Sequence, residues 1–111
     1  MTNWYTNMRS EKKRYKDYQK AKAQLPDEYK KALTALDHYM MNFFGSGEFM
    51  VIFEDLLQLF ADAAAEGRPI KEIVGEDPVQ FADEIMAEYP EVLWINKTRK
   101  KLRDEFERIE K

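Results

Sequence analysis

Cysteine is missing from this sequence. Its absence removes disulfides, thiol nucleophiles and thiolate metal sites together, and it fits a reducing compartment such as the cytoplasm. Histidine occurs once, as His38. A lone imidazole without cysteine cannot assemble the usual zinc ligand sets, nor the paired Glu-x-x-His motifs of four-helix di-iron proteins. Glycine and proline number four each in 111 residues, so turns are few and the elements between them long. β-Branched residues are scarce, and no stretch alternates apolar and polar residues for long enough to make a strand. Long apolar runs are missing too. The most apolar stretch, 49–65, is broken by Glu54, Asp55, Gln58 and Asp62, which makes it a buried helix rather than a membrane span. Residues 1–16 contain no apolar core of a signal peptide.

The motifs of common chemistries are equally scarce. Gly45-Ser46-Gly47 is too short for a phosphate loop and lacks its lysine. There is no nucleophile elbow and no aspartate-rich calcium loop. Asp62 with Glu66, and Glu84 with Glu88, stand four apart on helical patterns and read as solvated acidic faces. His38 lies between Asp37 and Tyr39 and reads as a surface or boundary residue. The expectation is a protein with no catalytic residue, no metal and no cofactor, and not an enzyme.

What is present suits one soluble domain covering residues 1–111. Hydrophobic residues make up 44% of the chain, enough for one core, and charged residues 35%, above the average domain. The net charge of −3 hides a pattern. Residues 1–25 carry seven Lys/Arg against two Asp/Glu, and residues 91–111 seven against five. Between them, residues 26–90 carry four against fourteen. Basic ends around an acidic middle point to terminal helices packed beside that middle or simply solvated. The other reading is a basic surface for nucleic acid or an anionic membrane, through Arg9, Lys12, Lys13, Arg14 and Lys16 with Lys97, Arg99, Lys100, Lys101 and Arg103. The overall acidity disfavours it.

Six helical segments follow from the pattern. Residues 5–24 form a polar helix with an intermittent stripe of Trp4, Met8, Tyr15 and Tyr18, closed at Leu25-Pro26-Asp27. Residues 27–44 repeat Tyr29, Leu33, Leu36, Met40 and Phe43 at spacings of three and four, with Gly45 expected to stop the helix by a left-handed turn. Ser46 is the expected N-cap of the central helix, which starts at Phe49 and ends at Gly67. These two helices should fold back as an antiparallel hairpin. A short unit follows between Pro69 and Gly75. Asp77-Pro78 then opens a helix with Asp77 as cap, Gln80 completing a capping box, and an inner face of Phe81, Ala82, Ile85, Met86 and Tyr89. Pro90 closes it, and the last helix covers 91–110. Its stripe of Ile95, Leu102 and Ile109, seven apart, is narrow enough to fit one neighbour: the first helix of the same chain, or a second subunit as in a homodimer. The fold class is all-α, a compact bundle of five to six helices around a central hairpin.

The densest apolar feature surrounds the hairpin turn, with Tyr39, Met40, Met41, Phe43, Phe44, Phe49 and Met50. Much of it must be core. Since both sides of the turn are apolar, part is a candidate docking patch, and Met residues suit adaptable surfaces. Trp is enriched at interface hot spots. The candidate partner contacts are therefore Trp4, Met40, Met41, Phe44 and Trp94.

Three stretches together resemble a known family. They are Leu25-Pro26-Asp27-Glu28-Tyr29, the run Gly67-Arg68-Pro69-Ile70-Lys71-Glu72-Ile73-Val74-Gly75-Glu76-Asp77-Pro78, and Leu93-Trp94-Ile95-Asn96-Lys97. In order, and over nearly the whole chain, they resemble the bacterial family called domain of unknown function 1048. The motifs are helix caps and packing positions. The resemblance implies an all-helical bacterial protein of no established activity, similar to small helical modules encoded beside PadR-like transcription regulators. It implies a protein partner, with such a regulator as one candidate, and brings no catalytic residue.

Overall fold

A computed structural model of the chain describes the backbone of residues 4–45 and 49–110, and the side chains of 11–45 and 49–110. Among them lie six α-helices: α1 (Trp4–Ala23), α2 (Asp27–Met41), α3 (Phe49–Ala65), α4 (Ile70–Val74), α5 (Pro78–Ala87) and α6 (Trp94–Glu110), with a 3-10 turn at Pro90–Val92. The protein is an all-α bundle, as its periodicity requires.

α3 is the centre. It turns Ile52, Phe53, Leu56, Phe60 and Ala63 into the core, where Leu33, Leu36 and Met40 of α2 meet them. The two helices run antiparallel: Phe44, beyond the end of α2, stacks on Phe49 at the start of α3 at 5.6 Å. At the other end the Tyr29 hydroxyl donates to the Arg68 carbonyl. α1 crosses α3 and α2, with Tyr18 stacked on Phe53 at 5.2 Å. α4 lies on both hairpin helices and α5 on α2, which buries Ala82 and Met86.

The ends of the helices show where local chemistry decides and where it does not. After α3, the Gly67 N–H bonds the Ala64 carbonyl and the Arg68 N–H the Ala63 carbonyl, a Schellman closure with Gly67 at φ 71°. Asp77 caps α5 by accepting from the Val79 N–H at 3.0 Å. Gln80 does not reach back to complete the box; its amide donates to Glu84 instead. The expected Ser46 cap lies outside the described residues.

Two boundaries differ from the pattern, for one reason. α2 ends at Met41 rather than at Phe44, and α6 begins at Trp94 rather than at residue 91. Phe44 and Leu93 are drawn into an isolated antiparallel bridge. In it the Trp94 N–H donates to the Phe43 carbonyl and the Gly45 N–H to the Val92 carbonyl, each at 2.9 Å. Gly45 is accordingly not a left-handed helix stop. Its φ is not positive, and it is small because a Cβ there would sit 3.3 Å from the Trp94 Cα and Cβ.

The helices around α3 form a tight body, but the whole is long. Its extents are 58 × 40 × 18 Å and its radius of gyration 17.1 Å, against roughly 13 Å for a globular chain of this size. α6 contributes to this. It has no buried residue, and its main neighbour is the Pro90–Val92 turn at its own root. α1 packs on α2 and α3 rather than along α6.

Candidate interaction surface

The bridge between Phe44 and Leu93 fixes a corner where the hairpin turn meets the root of α6. Trp94 is the corner's outermost large side chain, and its indole N–H donates to the Asn42 carbonyl at 3.2 Å. Trp94 is 47% exposed; Met41, equally exposed, lines the cleft between α1 and α2 instead. Phe44 is half-buried between Phe49 and Phe53. The indole is thereby pinned by its ring nitrogen and its backbone while much of its surface stays open. A rigid, amphipathic, exposed ring is what interface hot spots use.

Met40 corrects one expectation. It is completely buried among α2, α3 and their neighbours, so it fills core and cannot meet a partner. Consecutive helical residues point about 100° apart, so Met40 and Met41 divide between inside and outside. The side chain of Trp4 lies outside the described residues. Of the candidate contacts, the structure brings Phe44 and Trp94 to one corner and leaves Met41 and Trp94 open.

Sequence reasoning missed a buried polar cluster. Asp37 and Lys22 are only 4% and 7% exposed. The Tyr18 hydroxyl donates to Asp37 Oδ2 at 2.6 Å and the Lys22 ammonium to the same oxygen at 3.0 Å. The ammonium also lies 5.3 Å from the centre of the Tyr18 ring. Asp37 Oδ1 is buried with no protein partner. Burial pushes the Asp37 carboxyl above its usual range, against the lowering pull of its bonds from Tyr18 and Lys22. Burial first, and then Asp37, pushes the Tyr18 phenol far up, so it stays protonated and donates. The signal was present: Asp37 stands four after Leu33 and three before Met40, in the register of the core stripe. Tyr18 and Lys22 stand four apart on one face of α1.

A cleft of about 540 Å³ opens beside this cluster, lined among others by Gln19, Lys30, Thr34 and His38. His38 is exposed at its rim, as its surroundings in sequence suggested. Among the described residues no group of three or more His, Asp or Glu is placed to hold a metal ion, and no helix is long and apolar enough to cross a membrane.

The basic ends are used in two ways. α1 turns cations onto the acidic middle: Lys22 meets Asp37, and Arg14 forms a two-pronged pair with Glu54 at 2.6 and 2.8 Å. That guanidinium holds the Glu54 carboxyl below its usual value. α6 keeps its charge on a projecting rod, where Lys100 pairs with Asp104 of its own helix.

Fold and corner together define a small, elongated helical protein with a rigid apolar corner and a charged arm. The chain belongs to the family described as protein of unknown function (DUF1048), whose model it matches over residues 6–107. No curated protein matches it.

Proposed function

We propose that the protein is a non-catalytic interaction module, a signalling adaptor of the bacterial cytoplasm whose partner is another protein. A PadR-like transcription regulator is the first candidate. The observation that carries this is Trp94, a large aromatic ring held by its nitrogen and its backbone yet 47% exposed. Ordering costs at a surface this rigid are low, which favours a docking role. The test uses the immobilised full chain in lysate of its source cell, at low and moderate salt, beside a variant carrying Trp94→Ala and Met41→Ser. One protein retained at both salts by the parent and lost by the variant is the expected result. Equal retention by both, or no retained protein, would overturn the reading.

A second reading rests on α6, where Lys97, Arg99, Lys100, Lys101 and Arg103 follow one another with no acid between. It makes the arm an electrostatic contact for nucleic acid or an anionic membrane. Such binding must weaken steeply with salt; an absence of binding at low salt would dispose of it.

A further inference from the structure

α6 has the wrong charge order for a solitary helix. Residues 97–103 carry five cations and no acid, whereas 104–110 carry Asp104, Glu105, Glu107 and Glu110 against Arg108 alone. The helix dipole favours acids near the N-terminus and cations near the C-terminus, so this distribution works against the helix that bears it. The apolar side is equally uncovered. Leu102, Phe106 and Ile109 are 57%, 55% and 75% exposed, and together with Ile95 they fall within a narrow sector of the helix at 100° per residue. Lys100 and Asp104, which pair with each other, lie on the opposite side.

We propose that two copies of this chain pair through α6, side by side and antiparallel, crossing near Leu102. This arrangement lays the basic half of each α6 on the acidic half of the other, and it opposes the two helix dipoles. A parallel pair would set like charge on like charge. Crossing at Leu102 places Ile95 of one copy opposite Ile109 of the other, and Lys101 near Glu105 of the second copy. A seventeen-residue helix offers a seam about 25 Å long. The root residue Trp94 then lies near the far end of the other α6. The occupant is a second copy because the arm's own two halves are the complementary surfaces. The seam is Ile95, Leu102, Phe106 and Ile109, whereas the adaptor reading rests on Trp94 at the edge of that seam, so changes at Leu102 and Phe106 test the pairing and leave Trp94 in place.

The absence of cysteine makes the test direct. Sedimentation equilibrium of the full chain should give twice the 13.3 kDa chain mass. Leu102→Glu with Phe106→Glu should weaken association by about 100-fold or more, with helical circular dichroism and the melting of the body retained. Since that variant could also lose arm helicity, orientation is read separately. Equimolar Ile95→Cys and Ile109→Cys chains are mixed and mildly oxidised. Antiparallel pairing yields mixed disulfide dimers in preference to either symmetric one. A monomer at all soluble concentrations, a dimer indifferent to the Leu102 and Phe106 changes, or symmetric disulfides in excess would each overturn the proposal.

Discussion

Replacing Lys22 with methionine isolates what the buried cluster does. Methionine keeps most of the lysine stem and removes the ammonium. Asp37 is then left with Tyr18 as its one hydrogen-bond donor, and its Oδ1 has no protein partner to begin with. Removing one member of a buried ion pair costs about 3–5 kcal/mol. The continuing bond from Tyr18 at 2.6 Å sets the expectation at the low end, about 3 kcal/mol. A domain of this size has about 5–15 kcal/mol in all, and each kcal/mol moves its melting midpoint by about 4–8 °C. A fall of roughly 12–24 °C at neutral pH is therefore expected, read by circular dichroism on heating and by urea titration. The pH dependence adds a second readout. Lys22 is one of the influences that lower the Asp37 carboxyl against its burial, so deleting it lets that carboxyl titrate higher still. A carboxyl raised in the fold contributes stability below its unfolded value, and that contribution is lost as pH rises through its folded value. The deficit of the variant should thus be smallest at about pH 4 and grow toward neutrality. Adding Asp37→Asn removes the stranded charge and should bring stability back to within about 1 kcal/mol of the parent. A loss under about 1 kcal/mol at neutral pH, or one that does not shrink in acid, would refute the reasoning.

The neighbouring methionines should separate sharply. Met40→Ala, at a fully buried position, should cost about 2–5 kcal/mol in urea unfolding, and Met41→Ala, half exposed, within about 0.5 kcal/mol. Two glycines should respond for different reasons. Gly67→Ala meets open space but a φ of 71°, so it should cost about 1 kcal/mol through backbone strain alone. At Gly45→Ala the backbone is unstrained and the new Cβ crowds the Trp94 backbone at 3.3 Å. Its effect, about 1–3 kcal/mol, should shrink when Trp94 and its neighbours are freed by a change at Leu93.

The helices were legible because their causes are local. The stripe of Leu33, Leu36 and Met40, the proline at the head of α5 and the glycine after α3 each act within a turn or two of themselves. Phe44 and Leu93 were not legible. Each continues a helical apolar pattern, and only their meeting across nearly half the chain turns both out of helix. The same limit hid the clasp of Asp37, Tyr18 and Lys22, since an acid in a core stripe reads as an interruption until the opposite helix supplies its partners. Trp94 was legible as a candidate contact from its type. The hydrogen bond that holds its ring to the Asn42 carbonyl was not. Met40 and Met41 have the same side chain, and the helical phase of Leu33 and Leu36 alone tells them apart.

The bridge between Phe44 and Leu93 also sets an order of events as the chain acquires its shape. Closing a loop from residue 44 to residue 93 costs conformational entropy in proportion to the logarithm of its length. That loop shortens in effect only when α3, α4 and α5 have collapsed onto α2. The hairpin can assemble from neighbouring turns, while the direction of α6 waits for the body to finish. Helix can grow locally along α6 at any time, but it acquires a fixed heading last, when the Trp94 N–H finds the Phe43 carbonyl.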